Sequence, residues 1–215
     1  MARIPVVERI MKANDDVAAA NRQLLDEHGV HAVNIIAAPG AGKTSLILAV
    51  SAALAGRCRV GVIEGDLASD VDAQKVRAAG LPVYQINTGG GCHLDARQVR
   101  VALEQLPLDD IDLLLIENVG NLVCPVNFVL GEHTRLGISS VPEGDDKPHK
   151  YPTIFANVDA LALNKADLLP YLPFDVAEFE RLVRSLNPEI AFFPVSSTVG
   201  TGIDELADWL AALTA

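Results

Sequence analysis

The sequence predicts an α/β fold in which a mostly parallel sheet is flanked by helices on both faces, with an extra helix at the N-terminus. Two observations lead to this fold class. Short apolar runs alternate with segments of helical spacing along most of the 215 residues, which is typical of right-handed βαβ units. A glycine-containing loop that ends in Lys43-Thr44 also stands between one apolar run and a helical segment.

The predicted elements begin with one helix, which strands and helices then follow in alternation. Residues 4–29 carry apolar side chains at helical spacing, with Gly29 as a stop. Strands are predicted over 32–36, 59–63, 83–87, 113–117, 160–164 and 191–195, and the stretch 135–141 could be a further strand. Helices are predicted over 45–50, 71–79, 95–105, 175–186 and 203–213. We expect the charged, proline-containing segment 143–152 to be the least ordered part of the chain.

Residues 38–44 have the features of a phosphate-binding P-loop. Small residues would let backbone N–H groups close around phosphate, Lys43 would reach the β- and γ-phosphate oxygens, and Thr44 would ligate Mg²⁺ at a helix N-terminus. The first glycine of the motif is missing, because Ala37 stands there. The sequence therefore predicts a P-loop NTPase whose phosphate-binding residues are Gly40, Ala41, Gly42, Lys43, Thr44 and Ser45.

Asn164-Lys165-x-Asp167 follows a predicted strand late in the chain and is the guanine-reading pattern of GTPases. Asp167 would accept hydrogen bonds from guanine N1–H and the 2-amino group, Asn164 would meet O6 or N7, and the Lys165 stem would pack on the base. Adenine lacks the donors that Asp167 would pair, so the site would select GTP over ATP. A loop that closes on the base is predicted at Ser196, Ser197 and Thr198.

Acidic residues end two further strands and are expected near the phosphates. Glu117-x-x-Gly120 stands where most GTPases of this kind have Asp-x-x-Gly, the segment that senses the γ-phosphate. We expect Glu117 to make an outer-sphere Mg²⁺ contact, or one shared with Asp66. Asp70 and Asp72 either position the attacking water or form the acidic first turn of a helix. The predicted catalytic residues are Lys43, Asp66, Asp72, Glu117 and Gly120, and the predicted Mg²⁺ ligands are Thr44, Asp66 and Glu117.

Cys92-His93 and Cys124 form a second candidate site. Cys92 and His93 follow a glycine-rich stretch, and Cys124 lies a few residues after Gly120. Two thiolates and one imidazole suit nickel or zinc, and three ligands leave a position open for a second copy of the chain. Ordinary buried cysteines are the alternative. If GTP moves residues 117–120, the metal ligand Cys124 moves with them.

Composition limits the remaining possibilities. The formal net charge of −11 argues against nucleic acid as a partner. Three cysteines make a disulfide framework unfavourable. The chain has neither a signal-peptide core nor an apolar run of membrane length, so we expect a cytoplasmic protein without a membrane partner. We divide the chain into an N-terminal helix, residues 1–30, and a P-loop GTPase (G) domain, residues 31–215.

The chain resembles the hydrogenase nickel-incorporation GTPase family (HypB), in the P-loop class that also contains the urease accessory GTPases. The blocks that carry the resemblance are residues 39–44, 64–66, 87–96, 117–125, 143–148 and 164–167. Blocks 92–95 and 117–125 are the specific ones, since the urease relatives build their metal motif on Cys-Pro-His.

This resemblance implies GTP hydrolysis, with Mg²⁺, coupled to homodimerisation and to nickel loading into NiFe hydrogenase. It matches Cys92, His93 and Cys124 to the family's metal site for Ni²⁺ or Zn²⁺ at the dimer interface. The implied partners are a nickel-binding hydrogenase accessory protein and the hydrogenase large subunit. Some members of the family carry an N-terminal cysteine motif that binds nickel tightly, and others a histidine-rich store. Here the first cysteine is Cys58 and the first histidine is His28, so we expect nickel transfer and not storage.

Three alternatives stay open at this point. The first is a related urease-type accessory GTPase. The second is a P-loop small-molecule kinase, for which an arginine-rich lid would be expected and none is apparent. The third is a non-catalytic, nucleotide-gated scaffold in which Cys92 and Cys124 are merely buried.

Overall fold

The computed structural model describes residues 6–214 and confirms the predicted fold class. Seven strands form one sheet in the order β3-β2-β4-β1-β5-β6-β7, and every neighbouring pair is parallel. The strands are β1 (His31–Ala37), β2 (Val60–Asp66), β3 (Val83–Asn87), β4 (Leu113–Glu117), β5 (Thr134–Ser140), β6 (Ala160–Asn164) and β7 (Ala191–Pro194).

Helices cover both faces of the sheet. They are α1 (Val6–Glu27), α2 (Lys43–Ala53), α3 (Val71–Ala78), α4 (Ala96–Leu103), α5 (Lys147–Lys150), α6 (Pro152–Ala156), α7 (Val176–Leu186) and α8 (Ile203–Ala212). Val33 and Ile35 pack with α2, α3 and α8 on one face. Ala32 and Ile36 on the other face pack with α1, α4, α6 and α7. This alternation explains why the strands are apolar throughout, as both faces of a doubly covered sheet are buried.

Helix α1 is fastened to the domain by two buried asparagines. Asn14 donates to the carbonyl of Val129 (2.8 Å) and accepts from the N–H of Ala96 (2.9 Å). Asn21 donates to the carbonyls of Ala96 and Leu130 (2.8 Å each). Because these bonds satisfy backbone groups at the start of α4 and in the segment before β5, α1 joins two loops that are far apart in sequence.

The expectation for residues 143–152 was wrong, because this segment forms short helices and not an irregular loop. Glu143 accepts hydrogen bonds from both the N–H and the hydroxyl of Ser140 (2.8 Å each), and its carboxylate lies 3.6 Å from the Lys147 ammonium. A proline stands in the first turn of both α5 and α6, where its fixed φ favours the helix. No helix in the described range 6–214 is both long and apolar enough to span a bilayer.

Candidate nucleotide and metal sites

The P-loop joins β1 to α2 and lines a cavity of about 330 Å³. Gly40 and Gly42 adopt φ values of 76° and 94°, in the left-handed region that glycine enters at little cost. Lys43 and Thr44 point toward the end of β4. The Thr44 hydroxyl donates to Glu117 Oε1 (3.1 Å), and Lys43 Nζ lies 3.7 Å from the same oxygen. Ser45 also lines the cavity.

A second buried carboxyl group, which the sequence analysis did not include among the site residues, stands beside Glu117. Glu64 pairs in register with Glu117 across β2 and β4, and the two residues are 2% and 3% exposed. Burial raises the pKa of both carboxyl groups, and the proximity of Glu117 raises that of Glu64 further. One oxygen of each, Oε2, has no hydrogen-bond partner among residues 6–214. Oxygen donors of this kind beside a threonine hydroxyl suit Mg²⁺.

Asp66 stands two residues after Glu64 on β2 and lines the same cavity as Glu117, and its predicted share in Mg²⁺ binding stays a prediction. Its Oδ1 accepts from the backbone N–H groups of Ala68 (3.0 Å) and Ser69 (2.7 Å). Burial opposes ionisation of this carboxyl group, but these hydrogen bonds outweigh it and hold the pKa below its usual range. The residue next to Glu117 is therefore Glu64, while Asp66 lies two residues further along β2 at the wall of an adjoining cavity of about 240 Å³.

Asp72 and Gly120 complete the walls around the phosphate end. Asp72 lines both cavities and binds Lys75 Nζ (2.7 Å). Gly120 packs so closely on the P-loop that a Cβ there would lie 3.1 Å from Pro39 Cα. Residues 117–120, which we call the switch segment, therefore touch the phosphate loop directly. Catalytic roles for Asp72 and Gly120 stay predictions.

Asn164 braces the P-loop. Its Nδ2 donates to the carbonyl of Ala41 (3.0 Å), and its Oδ1 accepts from the N–H of Lys165 (2.8 Å) and the hydroxyl of Ser197 (3.0 Å). A Cβ at Gly42 would lie 2.6 Å from this Nδ2, so the glycine makes room for the brace. Both ends of the Asn164 amide take part in these bonds, and its contact with guanine O6 or N7 stays a prediction.

The other residues of the predicted base site gather around Asp167. Ser196 Oγ donates to Asp167 Oδ1 (2.5 Å), which orients this half-buried carboxylate. Lys165 Nζ donates to the carbonyl of Gly40 (2.7 Å), and so its stem spans from the base end to the P-loop. Thr198 is exposed. The structure thus brings the residues predicted to read guanine to one place, next to the phosphate loop.

Cys92, His93 and Cys124 meet on loops that follow β3 and β4, at the same end of the sheet as the phosphate-binding residues. Their ligand atoms all lie within 4.8 Å of one another, and Cys92 Sγ is 3.5 Å from His93 Nδ1. The His93 ring packs on Phe128, with 4.0 Å between ring centroids. Burial lowers the pKa of His93, so the imidazole is available as a neutral ligand. Interaction with the Cys124 thiol raises the pKa of Cys92.

This donor set suits a thiophilic divalent cation. Two sulfur atoms and one imidazole nitrogen are ligands that Ni²⁺ and Zn²⁺ accept. Because Cys92 is exposed while His93 and Cys124 are half-buried, the cluster opens to solvent on one side. A metal ion bound there would have open coordination positions, which a second copy or an acceptor protein can reach.

Comparisons with known proteins give one family and several relatives of this chain. Residues 31–194 match the family model described as CobW/HypB/UreG, nucleotide-binding domain. The chain is 45% identical over 201 residues to the hydrogenase maturation factor HypB of Escherichia coli (strain K12), which covers 94% of this chain and 69% of that protein. It is 39% identical over 207 residues to a probable hydrogenase maturation factor HypB of Methanocaldococcus jannaschii, covering 96% and 94%.

Solved structures with the same fold are also similar in sequence. The crystal structure of HypB from Helicobacter pylori in complex with nickel aligns with a TM-score of 0.90 and 35% identity, covering 94% of this chain and 95% of that one. HypB from Archaeoglobus fulgidus aligns with a TM-score of 0.88 and 38% identity, covering 95% and 100%.

Proposed function

Because the chain belongs to the CobW/HypB/UreG family of nucleotide-binding domains, we propose that it is a GTP-hydrolysing metallochaperone that binds nickel and assists its insertion into NiFe hydrogenase. The observation that carries the proposal is the position of Cys92, His93 and Cys124. These ligands lie together, and Cys124 follows within four residues of Gly120, which packs on the P-loop. A nucleotide-dependent movement at the phosphates would therefore reach the metal ligands.

At the phosphate end, each residue has a role that its contacts support. Lys43 would neutralise charge on the β- and γ-phosphates. Thr44, Asp66 and Glu117 would hold Mg²⁺, with Glu64 as a further oxygen donor beside Glu117, and the bound ion would neutralise charge on the phosphate oxygens. Asp66 and Asp72 would orient the attacking water from the cavity walls, and the N–H of Gly120 would sense the γ-phosphate.

At the base end, Asp167 would accept hydrogen bonds from the guanine edge. Ser196 supports this role, because its hydroxyl already orients the carboxylate. Asn164 would also act indirectly, by holding the P-loop against the base site. Guanine specificity would then depend on Asp167, since adenine cannot supply the matching donors.

Nickel is the cargo in this proposal, with zinc as a competing ion at the same ligands. The opening beside Cys92 supports a homodimer in which a second protomer completes the coordination. The partners would be a nickel-binding accessory protein and the hydrogenase large subunit, as the family resemblance implies, and the relatives named hydrogenase maturation factors support a hydrogenase as the target. Free thiols at Cys92 and Cys124 suit a reducing compartment such as the cytoplasm. The N-terminal segment 1–30, which contains α1, and the G domain 31–215 would move together as one unit.

The proposal is tested with purified protein and with a strain that lacks hydrogenase activity because the gene for this protein has been deleted. We expect GTP and not ATP to compete for the site, one nickel site that needs Cys92 and Cys124, and slow turnover below about 1 s⁻¹, as in unassisted switch GTPases. Restoration of hydrogenase activity by the wild-type gene tests the maturation role. Equal competition by ATP, or maturation that survives loss of both cysteines, would overturn it. The kinase and urease-type alternatives are not favoured, because the relatives reported above are named as hydrogenase maturation factors.

A further inference from the structure

We propose that Asn118 is the positioning residue that couples the nucleotide switch to the metal site. This inference rests on the proposed function, and it assigns a role to a residue that touches neither the nucleotide pocket nor the metal ligands. Asn118 lies in the switch segment directly after Glu117 and is 0% exposed. Its side-chain hydrogen bonds link the switch segment to the metal loop and to β1, the strand that leads into the P-loop.

The amide oxygen of Asn118 joins the metal loop to the switch. Oδ1 accepts from the N–H of Leu94 (3.1 Å) and from the N–H of Val119 (3.0 Å). Leu94 follows His93 directly, whereas Val119 precedes Gly120. A carbonyl oxygen has two lone pairs, and each is used here by a different segment. The orientation of the amide is fixed by these partners, because the nitrogen end cannot accept from two N–H groups.

The amide nitrogen of Asn118 anchors this junction to the middle of the sheet. Nδ2 donates to Asn34 Oδ1 (3.1 Å) on β1, the strand that leads into the P-loop. Asn34 in turn donates to Glu132 (3.3 Å), whose carboxylate also binds Arg135 (2.7 Å). This chain of bonds fixes the orientation of the Asn118 amide, so movement of the switch backbone is transmitted to Leu94 and is not absorbed by rotation of the side chain.

Packing limits the ways in which Leu94 can respond. Its side chain lies over Gly65 in β2, where a Cβ would meet Leu94 Cδ1 at 2.8 Å. Leu94 is therefore confined between β2 and the switch segment, and a displacement of its backbone has to pass to His93. If Leu94 did not move with the switch segment, the hydrogen bond from its N–H to Asn118 would have to break, which would leave a buried N–H without a partner.

Asn121 makes a parallel and more exposed connection. Its Nδ2 donates to the carbonyl of Cys92 (3.2 Å), and its Oδ1 accepts from the N–H of Val123. This bond links the ligand Cys92 to the segment that carries Cys124. Two asparagines three residues apart thus hold both cysteine loops, one from the core and one from the surface.

The experiment measures nickel affinity of the full-length protein with GDP and with a non-hydrolysable GTP analogue. For the wild type we expect the two dissociation constants to differ by about 5- to 100-fold, the usual range of coupling between two sites. Asn118→Ala should reduce this ratio to within about twofold of unity, while both nucleotides still bind. A residue with a merely structural role would shift both dissociation constants together and leave their ratio unchanged.

Asn14→Ala is the matched control. Asn14 also joins the start of α4 to the segment before β5, through Ala96 and Val129. Neither of these hydrogen bonds involves the switch segment. Loss of Asn14 should leave the ratio at the wild-type value. Should Asn118→Ala fail to fold, Asn121→Ala decides, and we expect a partial reduction of the ratio from it. Hydrogen exchange of residues 92–96 gives a second measurement, with a GTP-dependent change in the wild type that Asn118→Ala lacks.

The outcomes separate this inference from the proposed function. A wild-type ratio above about fivefold that Asn118→Ala or its substitute retains would overturn the inference and leave the metallochaperone proposal standing. A wild-type ratio of unity would overturn the inference alone, provided that GTP and nickel both bind. Absence of nickel or GTP binding in the wild type would overturn both.

Discussion

The phosphate pocket and the metal site both lie beyond the carboxyl ends of the strands, but they are built from different kinds of structural element. Glu64 and Glu117 stand on paired strands, and Lys43 and Thr44 on the first turn of a helix, so backbone hydrogen bonds fix their positions. The three metal ligands stand on loops, one of them exposed. The strand and helix positions of the phosphate pocket thus form the more rigid region, whereas the loops of the metal site depend on a few side-chain hydrogen bonds and form the more adaptable one.

Loss of Lys43 tests the rigid region and has the largest expected effect. Lys43→Ala should weaken GTP binding or hydrolysis on the order of 10²–10³-fold, because it removes the charge that faces the phosphates. Nickel stoichiometry of the nucleotide-free protein should stay unchanged, since the cluster does not use this residue. Titration with labelled GTP and with nickel measures both. Lys12→Ala, which removes an equal charge from the exposed side of α1, should leave GTP binding as it is.

Loss of the two thiols tests the adaptable region. A Cys92→Ala and Cys124→Ala double variant should weaken nickel binding about 100-fold or more and keep GTP affinity. Because each thiol loses a proton on binding and the pKa of Cys92 is raised, wild-type nickel affinity should fall as the pH drops. Competition with a chromophoric chelator gives the affinities. Unchanged nickel stoichiometry in the double variant, or an effect of equal size from Cys58→Ala, would contradict the assignment.

Asp167→Asn tests whether the base end behaves like the phosphate end. The amide can donate where the carboxylate only accepts, so the preference should move from guanine toward xanthine nucleotides. We expect GTP affinity to fall about 10- to 100-fold, the loss of hydrogen bonds to a charged group. Competition between GTP and XTP measures the change. The exposed Asp204→Asn serves as the control, and an unaltered preference in Asp167→Asn would refute the role of Asp167.

The smallest expected effect is on stability and depends on pH. The pKa of Glu64 is raised in the folded protein, so the folded state binds more protons than the unfolded state. The stability that protonated Glu64 contributes to the folded protein is fully present below the unfolded pKa of about 4.3. This stability is lost progressively as the pH rises from there toward the folded pKa. Glu64→Gln, which stays neutral, should therefore raise the Tm of the nucleotide-free, Mg²⁺-free protein by about 2–4 °C at pH 8. Near pH 4 the two proteins should melt alike, and the exposed Glu189→Gln should show no such trend.

Local patterns were enough to predict the residues of the rigid region. Lys43 and Thr44 follow from the order of strand, glycine loop and helix, and the same alternation predicts six of the seven strands, with 135–141 as a candidate for the seventh. Glu64 was missed as a site residue because its position opposite Glu117 depends on the pairing of β2 with β4. A signal was present, since Glu64 and Asp66 alternate at the end of one strand and so share a face.

Contacts between distant segments explain the remaining differences. Asn164 braces the P-loop because Gly42, more than 100 residues earlier, leaves space for its amide, and no local pattern contains that information. The segment 143–152 is an exception, because the cap that Glu143 forms on Ser140 joins residues only three apart, and the Ser-x-x-Glu pattern of a capping box was present in the sequence. The cysteine cluster was predicted as a set, but the asparagine bonds that hold its loops appear only in three dimensions.

The hydrogen bonds between Asn164 and the P-loop also fix the distance between the base end and the phosphate end of the nucleotide site. Lys165 reaches the carbonyl of Gly40 while Asn164 holds that of Ala41, so the base end and the phosphate end cannot separate. A nucleotide acts on such a pair as a bivalent ligand, in which binding of one end raises the effective concentration of the other. Guanosine and inorganic pyrophosphate, offered as separate molecules, forgo that gain, and the two together will not substitute for one molecule that joins them.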